Sequence, residues 1–176
     1  MSSARQLGYT LIEILVVLSI LSLLSFFAFA NYQTLKEDQL LKTSASDISG
    51  LIRLAQSNST SRYNCNGSTG ASWMVVFKNS TSLDLSCQVA PAAAVVVKSI
   101  TLDSHIQVDT IVGSCPSILP VTITYSPLLA NVSFTDSSTP TSCVASSVSI
   151  TVNLKNTSNN EVKSFKINKG GAIDVQ

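Results

Sequence analysis

Residues 8 to 30 read GYTLIEILVVLSILSLLSFFAFA, and this stretch decides the fold. From Leu11 to Ala30 every position is apolar or small except Glu13. At the standard helical rise those residues make about 30 Å of helix, enough to cross a bilayer core. Ahead of them stands a short polar stretch, MSSARQLG, carrying Arg5. No comparable charge cluster follows the apolar run directly, so the positive-inside rule sets residues 1–8 in the cytoplasm and the rest outside. A lone carboxylate at membrane depth costs about 2.5–3.5 kcal/mol even on the lenient insertion scale, so Glu13 requires compensation.

Three readings compete for this segment. A plain anchor accounts for the length but not for Glu13. A secretory signal peptide accounts for Arg5 and for Ala28-Phe29-Ala30 as a small-residue cleavage site. It does not account for an acid at the start of the apolar run, nor for a helical pattern that continues past Ala30. The third reading uses every residue. Gly8-Tyr9-Thr10-Leu11-Ile12-Glu13 followed by the apolar run resembles the N-terminus of the type IV pilin and pseudopilin family. The resemblance implies cleavage between Gly8 and Tyr9 by a prepilin peptidase and N-methylation of Tyr9. It also implies pairing of Glu13 with the free amine of a neighbouring subunit, which would neutralise the carboxylate. The likeness is strongest over residues 5–30. Many pilins carry a proline at the position of Ala30 and a glycine at that of Ser22; with neither breaker, this helix is expected to run uninterrupted.

The apolar spacing continues downstream. Leu41, Ala45, Ile48, Ile52 and Ala55 recur at intervals of four and three, with Leu51 widening the stripe and Lys42, Asp47 and Arg53 on other faces. This is an amphipathic helix that should end in the Asn/Ser/Thr cluster after Gln56. Beyond it the pattern turns to strands. The expected segments are Trp73–Lys78, Ser82–Ser86, Ala94–Leu102, Ile106–Val112, Val121–Tyr125, Asn131–Phe134, Ser147–Leu154, Glu161–Ile167 and Ala172–Val175. Alternation is cleanest at Val148, Ile150, Val152 and Leu154. NST at 79–81 and NTSNN at 156–160 read as hairpin loops, and Gly170-Gly171 as a tight turn. Nine short strands exceed the single small sheet of a major pilin. The pattern is similar to the H-type minor pseudopilins and FimT-like minor pilins, whose heads set two sheets around the helix.

The expected fold class is α+β: a long N-terminal transmembrane-plus-amphipathic helix on a β-rich head of antiparallel sheets. The segments are 1–8 as a cleaved leader, 9–30 as transmembrane and assembly helix, 31–58 as amphipathic helix and 59–176 as head. The four cysteines, Cys65, Cys87, Cys115 and Cys143, are far apart and accompanied by one histidine, which argues against zinc. Two disulfides are expected, with Cys65–Cys87 and Cys115–Cys143 preferred because each closes the shorter loop; four buried thiols are the alternative.

Charged residues make up 12% of the chain and the net charge is +1, so nothing in the composition calls for a polyanionic partner. His105 with Asp103 and Asp109 could suggest catalysis, but no nucleophile motif accompanies it. Calcium would need clustered oxygen ligands, whereas Asp84, Asp103, Asp109, Asp136 and Asp174 are scattered, Asp136 in TDSSTPTS being the best single candidate. Lys155, Lys163, Lys166 and Lys169 cluster near the C-terminus and are the candidate DNA contacts. Lys163 and Lys166 have opposite parity in a strand, and no aromatic platform accompanies them. No enzyme activity, cofactor or metal is expected, and nucleic acid is the lesser reading. The partners implied by the resemblance are other pilin-type subunits, the prepilin peptidase and methyltransferase, an inner-membrane assembly platform and the lipid bilayer. The location it implies is the inner membrane, single-pass with the head extracytoplasmic, and then a filament. The rival from another class is a secreted β-domain released at Ala30.

Overall fold

The computed structural model describes residues 10–113, 119–127, 132–136, 149–168 and 170–175, the side chains of 27–31, 136 and 175 excepted. Helix α1 runs over Leu11–Thr60. Nine strands follow: β1 Ser72–Phe77, β2 Ser82–Gln88, β3 Val95–Thr101, β4 Ile106–Val112, β5 Val121–Tyr125, β6 Val132–Asp136, β7 Ser149–Asn156, β8 Val162–Asn168 and β9 Ile173–Val175. A long helix followed by antiparallel sheet is the α+β class the periodicity predicts. The chain divides into two compact units, Met1–Glu37 and Asp38–Gln176.

The first unit holds the N-terminal part of α1. Every described side chain from Leu11 to Phe26 is exposed. Ser19, Ser22 and Ser25 turn their hydroxyls back onto the carbonyl oxygens of Val16, Ser19 and Leu21, which satisfies them without leaving the helix.

The second unit is the head. Its sheets are ordered β3-β2-β1-β5-β6 and β4-β7-β8-β9, and every pairing is antiparallel. Alternation decides which side chains enter the core: Trp73, Val75 and Phe77 from β1, Ile123 and Tyr125 from β5, Ile150, Val152 and Leu154 from β7, and Phe165 and Ile167 from β8. They join one core with Leu41, Ala45, Ile48, Leu51, Ile52 and Ala55 of α1, the predicted amphipathic stripe. The head therefore folds around the C-terminal half of the helix.

α1 runs on to Thr60 and so ends within the Asn/Ser/Thr cluster after Gln56, as its pattern predicts. Its polar last turn is held by tertiary and local bonds. Ser59 donates its hydroxyl to the carbonyl of Tyr125, and Thr60 bonds the carbonyls of Gln56 and Ser57. The helix then ends in a Schellman arrangement: Tyr63 N–H reaches the carbonyl of Asn58, Arg62 N–H that of Ser59, and Arg62 takes φ 52°.

The turns follow their chemistry. Asn79 Oδ1 accepts from the N–H groups of Thr81 and Ser82, closing the β1–β2 hairpin. Asn66 and Gly67 take φ 49° and 86° between the bridged residues Cys65 and Ser68, the left-handed pair a two-residue hairpin loop needs. Asn156 Oδ1 accepts from Ser158 N–H inside the β7–β8 loop.

Candidate functional site

The N-terminal site begins at Thr10, whose carbonyl oxygen accepts from Glu13 N–H at 3.1 Å and from Ile14 N–H at 3.3 Å. Its Oγ1 lies 3.4 Å from the same Glu13 N–H. Thr10 is thus the N-cap and Glu13 the third helical residue, the spacing of a capping box. A carboxylate there also meets the positive end of the helix dipole. Glu13 shares one face with Ile14, Val17 and Leu18, so the acid sits at the head of an apolar strip. Gly8 and Tyr9 lie outside the described residues. Among the described residues no helix is long and apolar enough to cross a membrane. The described side chains of the apolar run end at Phe26, while the run itself continues to Ala30 in the sequence.

In the head, Cys65 and Cys87 are joined by a disulfide, with 22 residues of separation and Cα atoms 6.0 Å apart. It ties the loop after α1 to the end of β2, next to the tilted Tyr63–Trp73 ring pair. Cys115 and Cys143 lie outside the described residues.

Of the candidate DNA contacts, Lys169 is outside the described residues, and the structure divides the other three. Lys163 pairs with Leu154 on β7, whose side chain enters the core, and is half-buried. Lys155 and Lys166 belong to the opposite face. Lys155 stands opposite Val162, and Lys166 stands between Thr151 and Asp174. An acid directly across the ladder from Lys166 weakens any single-sign field there.

The remaining candidates have ordinary structural roles. Asp103 Oδ1 accepts from the backbone N–H of His105 and faces its Nδ1, each at 3.0 Å, in an exposed turn. Those two bonds hold the Asp103 carboxyl below its usual value. Asp84, treated from sequence only as one scattered acid, is buried. It accepts from Ser99 Oγ at 2.7 Å and pairs with Lys78 Nζ at 3.0 Å. The Ser99 bond, with help from Lys78, holds its carboxyl below the usual range against the opposing effect of burial. The signal that could have found it was the pairing of the NST hairpin, which brings Lys78 towards Asp84. Among the described residues no three His, Cys, Asp or Glu side chains gather as a metal site would require, and the side chain of Asp136 is not among them.

Residues 3–29 match the model of the prokaryotic N-terminal methylation motif. No curated protein and no solved structure matches the chain. The match takes in Gly8, Tyr9, Thr10 and Glu13 and ends within the first compact unit.

Proposed function

We propose that this chain is a type IV pilin-like structural subunit, a minor pilin or pseudopilin, that is cut after Gly8, methylated on Tyr9 and built into a filament through its N-terminal helix. The observation that carries the reading is the methylation-motif match over residues 3–29. Support comes from Glu13 in the first turn of α1, heading an apolar face whose described side chains, Leu11 to Phe26, are exposed. Before assembly the run to Ala30 sits in the inner membrane with the head outside; after assembly it packs among the equivalent helices of other subunits. Glu13 then meets the Tyr9 ammonium of a neighbour, an intramembrane carboxylate compensated by a partner cation. The function is mechanical. The H-type and FimT-like minor pilins are the proposed subgroup, supported by the two-sheet head.

A DNA-uptake role draws less support, because Lys163 and Lys166 occupy opposite faces and Lys166 has Asp174 across from it. Release as a secreted domain at Ala30 would cut α1 midway and leave Glu13 without a task.

The test is the mature N-terminus of the protein from its native cell, read by intact mass and N-terminal peptide mass spectrometry. N-methylated Tyr9 is the expected result. A start at Asn31, or an unprocessed Met1, would overturn the proposal.

A further inference from the structure

From Ile14 to Leu35 the chain carries no charged residue, and the first charge after that stretch is Lys36. Tyr32 precedes it by four positions, so the two lie along one line of α1. Both are exposed, Tyr32 at 62%, and Leu35 beside them is 60% exposed. All three belong to the first compact unit and stand just past Ala30, where the apolar run ends.

The run from Leu11 to Ala30 matches a bilayer core in length, about 30 Å. At the same rise Tyr32 lies about 3 Å and Lys36 about 9 Å beyond Ala30. The headgroup layer of one leaflet is about 5–7 Å deep. Tyr32 thus falls inside that layer, where an amphipathic ring keeps its body against the acyl chains and its hydroxyl in water. The Cα of Lys36 falls just outside it. Cα–Cβ bonds tilt towards the helix N-terminus, so the lysine stem leans back and carries its ammonium into the layer.

The helix offers Lys36 no counter-ion. Its neighbours three and four positions away are Tyr32, Gln33, Gln39 and Leu40, none of them acidic. Glu37 is on a different face, since adjacent helical residues do not face each other. Asp38 is paired with Lys42, one turn further on.

We infer that Tyr32 and Lys36 form an interfacial anchor that binds the headgroup phosphates of the extracytoplasmic leaflet and fixes the depth of the helix in the bilayer. Lipid is the occupant because the length of the apolar run sets these two side chains at headgroup depth, and the cation there meets phosphate as its counter-ion. The inference rests on the inner-membrane step of the proposed function.

The experiment reconstitutes the full-length chain carrying Tyr32→Trp in vesicles of phosphatidylcholine and phosphatidylglycerol whose acyl chains bear bromine at set depths. Bromine quenches a nearby indole. The signal of the parent chain, whose one tryptophan is Trp73, is subtracted. Quenching of the probe at position 32 should be strongest from bromines next to the headgroups and weak from those at the chain ends. Lys36→Gln should lower the ratio of quenched to water-exposed probe about fivefold, the weight of one cation at an anionic surface, and Lys36→Arg should leave it unchanged. A probe in water, a probe quenched most from the chain ends, or an unchanged ratio in Lys36→Gln would overturn the inference. So would quenching that falls as the protein-to-lipid ratio rises, the sign of a second copy covering the site. Vesicle flotation separates the anchor from the reading beneath it. A chain that floats without shallow quenching rejects the anchor alone, and a chain that does not enter the vesicles rejects the membrane step of the proposed function with it.

Discussion

Ser59 Oγ donates to the backbone carbonyl of Tyr125 across 3.1 Å, joining the last turn of α1 to the end of β5 within the buried interior of the head. Tyr125 also pairs with Trp73 and Val132 in the sheet, so removing the hydroxyl takes away one tie and not the ladder. Ser59→Ala should lower the unfolding free energy by about 0.5–1.5 kcal/mol, the net worth of one hydrogen bond. Denaturant unfolding should show the midpoint falling with an unchanged slope.

Gly171 takes φ 81°, and a Cβ built there would crowd Gln56 Nε2 and stand 2.9 Å from its Cδ. Gly171→Ala therefore meets chiefly a backbone cost of about 1–2 kcal/mol, because the crowding atoms are the amide end of a flexible side chain that can swing aside. Gln56→Ala clears the crowding but not the φ. The double variant should thus recover little of the loss, and a double-mutant cycle measures the coupling.

The Asp84 carboxyl is held below its usual value chiefly by Ser99, and Lys78 acts in the same direction. Its folded pKa being lower than its unfolded one, the linked stability is fully present above the ordinary carboxylate range and lost as pH falls through the folded pKa. Wild-type stability should fall on acidification from pH 5 towards pH 2 by more than that of Asp84→Asn, whose residue 84 does not titrate. At neutral pH Asp84→Asn should cost about 2 kcal/mol, the worth of hydrogen bonds to a charged group. Equal acid slopes for the two proteins would refute the assignment.

The Cys65–Cys87 bond closes a loop spanning 22 residues of separation. In the chain-entropy account such a cross-link stabilises by about 3 kcal/mol, so Cys65→Ser with Cys87→Ser should lower the head's unfolding free energy by about that amount. Thermal unfolding of the two proteins under non-reducing conditions checks it.

Strand positions were legible wherever one face of a strand meets the core, because alternation writes burial into the sequence. Ile150, Val152 and Leu154 are the clearest case, and the predicted β7 differs from the observed one by two residues at each end. Sheet membership was not legible, since β1 pairs with β5 across more than forty residues of chain and no local pattern encodes that choice. Nor was the environment of β3. A run of valines implies burial, yet at a sheet edge the same run is exposed, and only the strand order reveals it. Asp84 failed in the opposite sense: its parity in LDLS implies solvent, and its burial depends on Lys78 and Ser99 meeting it from both sides. The N-terminal motif was readable because its chemistry is local, with the cap at Thr10 and the acid at Glu13 within one helical turn.

That closeness means Glu13 has two possible tasks, which a pair of substitutions separates. Its place at the third helical position, with the spacing of a capping box, suits an acid or a glutamine at the helix start. As the compensated charge of the proposed filament it must be ionised opposite a neighbour's Tyr9 ammonium, and glutamine cannot replace it. Glu13→Ala removes both functions, while Glu13→Gln removes only the charge. On the proposed reading both variants should lower the filament-incorporated fraction by tenfold or more, since an intramembrane charge left without its partner costs about 2.5–3.5 kcal/mol. Quantifying the chain in sheared filaments against the membrane fraction measures this. Wild-type incorporation in Glu13→Gln with loss in Glu13→Ala would reduce Glu13 to a helix cap. Unchanged incorporation in both would remove the residue from assembly altogether.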